Sequence, residues 1–287
     1  MVRLIGAELF KLRKRLMTRV LLYVLIGILI ILYLLLLAVS NVVIPAHGAQ
    51  VLGEIQNLLG LPMAIPFALS ILSSFGAVMA VILLASSMGN EYNWRTIRTV
   101  LICSESRFKL LGAKLISAGI LIFFGLLIGV VAGFIMSLIT TAIGGYAFNF
   151  DFVTGNYIWD QFLQFWRTFF VLMPYVLLGF LFSIVGRSAM PGISLGIGIF
   201  FLESIITTFM VLAGGWIANI PDYLLYFNVR SITSMASLPG EFNAGMAFGN
   251  GGIQLPSPTH AFITLAIYGV AFLVLAFYLF RKRDVTA

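Results

Sequence analysis

Two short strings in this chain carry residue types able to do chemistry. Gly192-Ile193-Ser194-Leu195-Gly196 has the Gly-x-Ser-x-Gly spacing that presents a nucleophilic serine on a strand-to-helix turn, and Gly112-Ala113-Lys114 ends like a phosphate-binding loop. Neither is completed. A serine nucleophile needs a base within reach, and His47 and His260 fall at the far ends of apolar runs, a bilayer thickness from Ser194. No glycine-rich cradle precedes Gly112, and Leu115 stands where a metal-binding hydroxyl would be needed. A lone Cys103 excludes an internal disulfide, and no His/Cys cluster has zinc-ligand spacing. The chain is therefore expected to be neither an enzyme nor the holder of a metal or cofactor.

Glu203 is the one ionisable residue deep in an apolar run. Carrying a charge into a bilayer costs roughly 2.5 to 3.5 kcal/mol on insertion scales, so it must face the bundle interior or a polar cavity. Two roles are open to it: a structural hydrogen bond with Ser204, Thr207 or a neighbouring helix, or a place on a substrate path with or without a proton. Glycines four apart, Gly192 and Gly196 in one run and Gly125, Gly129 and Gly133 in another, read as surfaces of close helix packing.

The elements that must position these residues are membrane spans. Of 287 residues, 61% are hydrophobic and only 9% charged, with a mean hydropathy of +1.08, whereas a soluble domain is about a quarter charged. Apolar runs near 20–40, 65–88, 115–140, 168–186, 192–213 and 261–280 each approach the ~20 residues a helix needs to cross. They lack the two-residue alternation of barrel strands. An all-α membrane protein of six transmembrane helices is expected, as one domain over 1–287. The first run is too long for a signal-peptide core and is expected to be retained.

Net charge is +7, from 17 basic and 10 acidic residues. Fifteen of those 17 cations fall on one side: Arg3, Lys11, Arg13, Lys14, Arg15 and Arg19 before the first span; Arg95, Arg98, Arg107, Lys109 and Lys114 between the second and third; Arg187 after the fourth; and Arg281, Lys282 and Arg283 after the last. Only Arg167 and Arg230 lie opposite. The positive-inside rule makes both termini cytoplasmic. Charges in short inter-span segments form no basic face for nucleic acid.

On the far side, the aromatic-rich 146–166 is expected to lie along the membrane surface. Residues 214–260 are too long for a turn and are expected to form re-entrant or interfacial helices. At the start, Val2, Ile5, Leu9, Leu12 and Leu16 recur at three and four residues, which predicts an amphipathic interfacial helix over 1–19 that attracts anionic lipid.

Residues 89–113 form the most polar segment between spans. Trp94, Ile97, Leu101 and Ile102 make an apolar stripe beside Arg95 and Arg98, a shape suited to docking a soluble protein, with Ser104 or Ser106 as candidate cap of the helix that follows. The string Glu91-Tyr92-Asn93-Trp94-Arg95-Thr96-Ile97-Arg98-Thr99, then Ser104-Glu105-Ser106-Arg107 and Lys114, with Ala7-Glu8-Leu9-Phe10-Lys11-Leu12-Arg13 at the start, resembles the membrane subunits of ABC-2 type ABC transporters. Arg95 stands where that family commonly has glycine. The resemblance implies that this segment is a coupling helix docking on an ATP-binding subunit, with Glu91, Trp94, Arg95, Thr96, Arg98 and Arg107 as candidate contacts. It further implies two copies of that ATPase, which would bind ATP and Mg, and a second permease copy or paralogue. The expected function is export of a hydrophobic or amphipathic drug, peptide or lipid across a bacterial plasma membrane. An ion-driven secondary carrier and a non-transporting scaffold or sensor with the same fold are the rivals.

Overall fold

The computed structural model describes residues 1–42, 55, 57–94, 106–145, 150–235 and 255–282. Among them every regular element is a helix: α1 (Val2–Lys14), α2 (Leu16–Val42), a 3-10 turn (Leu61–Met63) leading into α3 (Ala64–Asn93), α4 (Arg107–Gly144), α5 (Gly155–Val185), α6 (Ala189–Ala213), a 3-10 segment (Gly215–Tyr223), α7 (Leu225–Thr233) and α8 (Pro258–Lys282). Six stretches are long and apolar enough to cross a membrane: Leu16–Ser40, Leu61–Asn93, Phe108–Gly144, Gly155–Val185, Ala189–Ala213 and Pro258–Lys282.

Local chemistry sets the ends. Ser106, Thr154 and Ser188 are N-caps whose hydroxyls accept from the backbone N–H groups of Lys109, Tyr157 and Met190, satisfying donors that the helix cannot. Of the two serines expected before α4, Ser106 is the cap; Ser104 lies outside the described residues. Gly145 ends α4 in the left-handed region (φ 69°), where a side chain would be strained. At 38 residues α4 is roughly 57 Å long, nearly twice a hydrocarbon core, so its ends have room to stand clear of the apolar layer.

One expectation is corrected. Residues 155–166 do not form a separate surface segment; they are the first turns of α5, which runs unbroken from its Thr154 cap. Trp159, Phe162 and Trp166 recur at helical spacing, and Trp166 packs its ring against Phe123, Phe165 and Phe169.

Helices α3 and α5 form the centre, packing most extensively on each other and flanked by α4, α6 and α8. Small residues permit the approach. A Cβ on Gly192 would sit 2.7 Å from the Gly179 carbonyl oxygen and from Ser183 Cβ, and one on Gly196 would sit 2.7 Å from Val81 Cγ1. Gly129 faces Leu72 at 2.6 Å and Gly133 lies against Ala68, bringing α4 onto α3. Gly125 differs from the expected packing contact: nothing stands within 4 Å of its Cβ position, because it lines a cavity. The outward faces of α6 and α8, with Phe209, Leu212, Ile267 and Val270, stay exposed, as apolar surface does where lipid is the solvent.

Candidate functional site

The described basic residues expected on one side lie at the same end of the bundle, where α1 turns into α2, α3 ends against the turn from α5 into α6, α4 begins and α8 ends. Phe108 of α4 stacks on Phe277 of α8 there, with ring centroids 5.8 Å apart. The first helix does not stand free. Its Ile5, Glu8 and Leu12 share one face at three- and four-residue spacing, and Glu8 and Leu12 are buried against the start of α4. Ser117 Oγ donates to the Ile5 carbonyl at 3.1 Å and pins the helix along α4. Val2 and Leu16, expected on the same apolar face, are exposed.

Glu8 is buried because it meets its counter-charges. Lys114 Nζ lies 3.0 Å from Glu8 Oε2 and 2.7 Å from Glu91 Oε1; Lys11 lies 3.6 Å from Glu8 Oε1 and also pairs with Glu91 Oε1. Glu91 and Lys114 have no exposed side-chain surface. The four charges cancel, two acids against two lysines drawn from α1, α3 and α4. Burying ions in this way is close to neutral in net stability, but removing one member costs about 3 to 5 kcal/mol because its partner is left charged in a dry site. The cluster therefore acts as a fastener: three helix ends cannot separate without exposing it.

The chain leaves this fastener and returns to it. Glu91 lies three residues before Trp94, the last described residue of the α3 end, and Arg107 opens α4 about two turns before the Lys114 position. Trp94 is 60% exposed, with the Arg15 guanidinium 5.3 Å from its ring centre, a cation–π contact that ties α1 to the α3 terminus. Of the expected coupling residues, Arg95, Thr96 and Arg98 lie outside the described residues, and Arg107 is placed only as the first residue of α4. Glu91 is the correction. It is no surface contact but a core member of the ion cluster, since its position at the last turn of α3 points it inward at Lys114.

The pairing of Glu8 and Lys11 with Glu91 and Lys114 was missed from sequence. A signal existed: Glu8 is the only acid in the first 50 residues, in a run of cations, and Glu91 closes an otherwise uncharged span.

Apart from this cluster, Glu203 is a half-buried carboxylate on α6. Tyr175 Oη of α5 donates to Glu203 Oε2 at 2.8 Å, and the Tyr226 backbone N–H donates to the same oxygen at 3.0 Å. Tyr226 stands in the first turn of α7, so Glu203 supplies from another helix the cap that Leu224 cannot give. Ser204 and Thr207, the expected side-chain partners, bond instead to backbone carbonyls of their own helix. The expected segment 214–260 contributes the 3-10 turn and α7, whose residues Leu225–Ile232 are buried; 236–254 lie outside the described residues. Tyr268 Oη of α8 donates to the Tyr223 carbonyl, and Ser231 Oγ to that of Pro256.

Six apolar crossing-length helices, with a buried ion cluster at one end, define the class of α-helical membrane proteins. The chain belongs to the family described as "Protein of unknown function (DUF2705)", whose model matches residues 57–286. It is 26% identical over 216 residues to "Uncharacterized protein YhcI" of Bacillus subtilis (strain 168), a match covering 72% of this chain and 64% of that protein. No solved structure matches.

Proposed function

We propose that this protein is the membrane-spanning subunit of an ATP-driven exporter of the ABC-2 type, moving a hydrophobic or amphipathic solute across a bacterial plasma membrane with both termini in the cytoplasm. The observation that carries the reading is the ion cluster. A partner that docks on residues 95–105 applies its load at points held to the bundle by Glu91 on one side and Lys114 on the other, so a push there moves α3, α4 and α1 as a unit. Such transmission is what a permease without its own nucleotide site requires. The ATP and Mg are bound by two copies of a separate ATPase subunit, and a second copy of this chain or a paralogue completes the pore. Nucleotide closure changes the balance between inward- and outward-open arrangements only through contacts that differ between them.

The test is affinity purification from the native membrane in mild detergent, with mass spectrometry of bound proteins and an ATPase assay across candidate solutes. A co-purifying chain with a phosphate-binding loop, retained less well when Trp94 and Arg98 are both replaced by alanine, is expected. Nucleotide hydrolysis by the isolated chain, or labelling that places 95–105 outside the cell, overturns the reading. Transport that survives ATP depletion and collapses with the proton gradient points instead to an ion-driven carrier.

A further inference from the structure

Between α1, α2, α3 and α4, beside the ion cluster, lies a cavity of about 550 Å³, within the ~300 to 1,000 Å³ typical of small-molecule sites. Its walls are almost wholly hydrocarbon: Leu21 and Leu25 of α2, Met79 and Leu83 of α3, Ile122 and Leu126 of α4. Its polar side chains are Arg13, Thr18 and Arg19, all at the turn from α1 into α2. From there the cavity extends along α4 from Ile120 to Ile128, roughly 12 Å at the helical rise. The shape is a greasy slot with a cationic mouth.

Two observations select the occupant. Phe124 and Ile128 line the slot and are also 54% and 40% exposed, so it opens on the outer face of the bundle, where a bilayer's chains lie. Apolar cavities of this kind do not hold water, and in a membrane the available filler is hydrocarbon. At the mouth, the nearby acids are already taken: Glu8 and Glu91 are paired with Lys11 and Lys114. Among the described residues no carboxylate pairs with Arg13 or Arg19, and both are exposed. Guanidinium groups offer planar, forked donors that match phosphate oxygens.

We propose that this slot is a binding site for an anionic phospholipid, one acyl chain lying along α4 beside Gly125 and the phosphate seated on Arg13, Arg19 and the Thr18 hydroxyl. The site is independent of what the protein transports. It would place a lipid against the helix fastened by the ion cluster, tying that corner to the inner leaflet.

The full-length protein in mild detergent tests this by native mass spectrometry after incubation with phosphatidylglycerol or phosphatidylcholine. Retention of phosphatidylglycerol over phosphatidylcholine is expected. Each of Arg13→Ala and Arg19→Ala should lower it roughly fivefold, the usual strength of one basic side chain toward an anionic surface. Gly125→Phe, which fills the slot from a position with nothing within 4 Å, should abolish retention while both arginines remain. Phosphatidylglycerol carrying a photoreactive group in one acyl chain should label the unmodified protein on Leu22, Gly76 or Phe124, a readout that does not depend on any variant folding. Equal retention of the two lipids, undiminished binding in folded Gly125→Phe, or labelling confined to the exposed faces of α6 and α8 would each overturn the site.

Discussion

Glu91 and Glu203 are withdrawn from solvent in two different ways. Glu91 is held by charge: two lysines converge on one of its oxygens and Glu8 balances the second lysine. Glu203 is held by direction: a phenol O–H and the Tyr226 backbone N–H meet it from α5 and α7. Coulomb attraction falls off slowly with distance and four charges can share it in several arrangements. Directed hydrogen bonds weaken steeply once the angle is lost. The first site would therefore tolerate small displacements of its side chains, whereas the second would be lost on a modest change in the orientation of α6 relative to α7.

The largest expected effect comes from breaking the charged site. Lys114→Met leaves Glu8 short of a partner and Glu91 with Lys11 alone, and should cost about 3 to 5 kcal/mol, read as a drop in thermal unfolding temperature in detergent or a loss of folded protein. Adding Glu8→Gln to that variant leaves Glu91 paired with Lys11 alone and balanced, and should restore part of the loss. Without any restoration, uncompensated charge is not the cause.

The next effect tests the frame that holds both sites at their distance. Gly192→Leu must push aside the Gly179 backbone, Ser183 and Ala85, and should cost about 1 to 3 kcal/mol by overpacking, whereas Gly125→Ala, facing open space, should leave the unfolding temperature unchanged.

Replacing the directed site sharpens the contrast. Glu203→Leu strands the Tyr175 hydroxyl and should cost about 1 to 3 kcal/mol. Glu203→Gln keeps an acceptor oxygen in place and should cost less than about 1 kcal/mol in the same unfolding assay. If glutamine is as damaging as leucine, the negative charge matters at Glu203 as it does at Glu91, and the comparison fails. Transport by Glu203→Gln that matches the parent at every pH would leave the residue a purely structural cap.

The smallest effect belongs to the rim. Trp94→Ala removes the Arg15 contact at an exposed position and should cost only about 0.5 to 1 kcal/mol of stability, while under the proposed function it should weaken retention of an ATPase subunit far more. Loss of fold instead would place Trp94 with the fastener, not the docking surface.

How much of this was legible in advance differs by element. The spans were, because runs of Leu, Ile, Val and Phe near 20 residues have no other stable home than a helix in lipid. The Ser106 cap was visible as one of two serines before an apolar run. The continuation of α5 through 155–166 was hidden, since aromatics are favoured both at a headgroup boundary and on a helix. Glu91 was misplaced: a string of polar residues at the end of a span reads as surface when its partners, at positions 8, 11 and 114, are distant in sequence. Gly125 was misread beside Gly129 and Gly133 because equal spacing along a helix does not reveal whether a neighbour is present.

Hydropathy and the placement of basic residues determined that this chain is a six-helix membrane protein with its cations gathered at one end, because the cost of exposing polar groups to lipid acts on each segment separately. Which acids neutralise which cations, which glycines touch and which line a slot, and which carboxylate caps α7 were decided only by tertiary structure. Each depends on side chains from separate helices meeting within a few ångströms, and no single segment encodes that meeting.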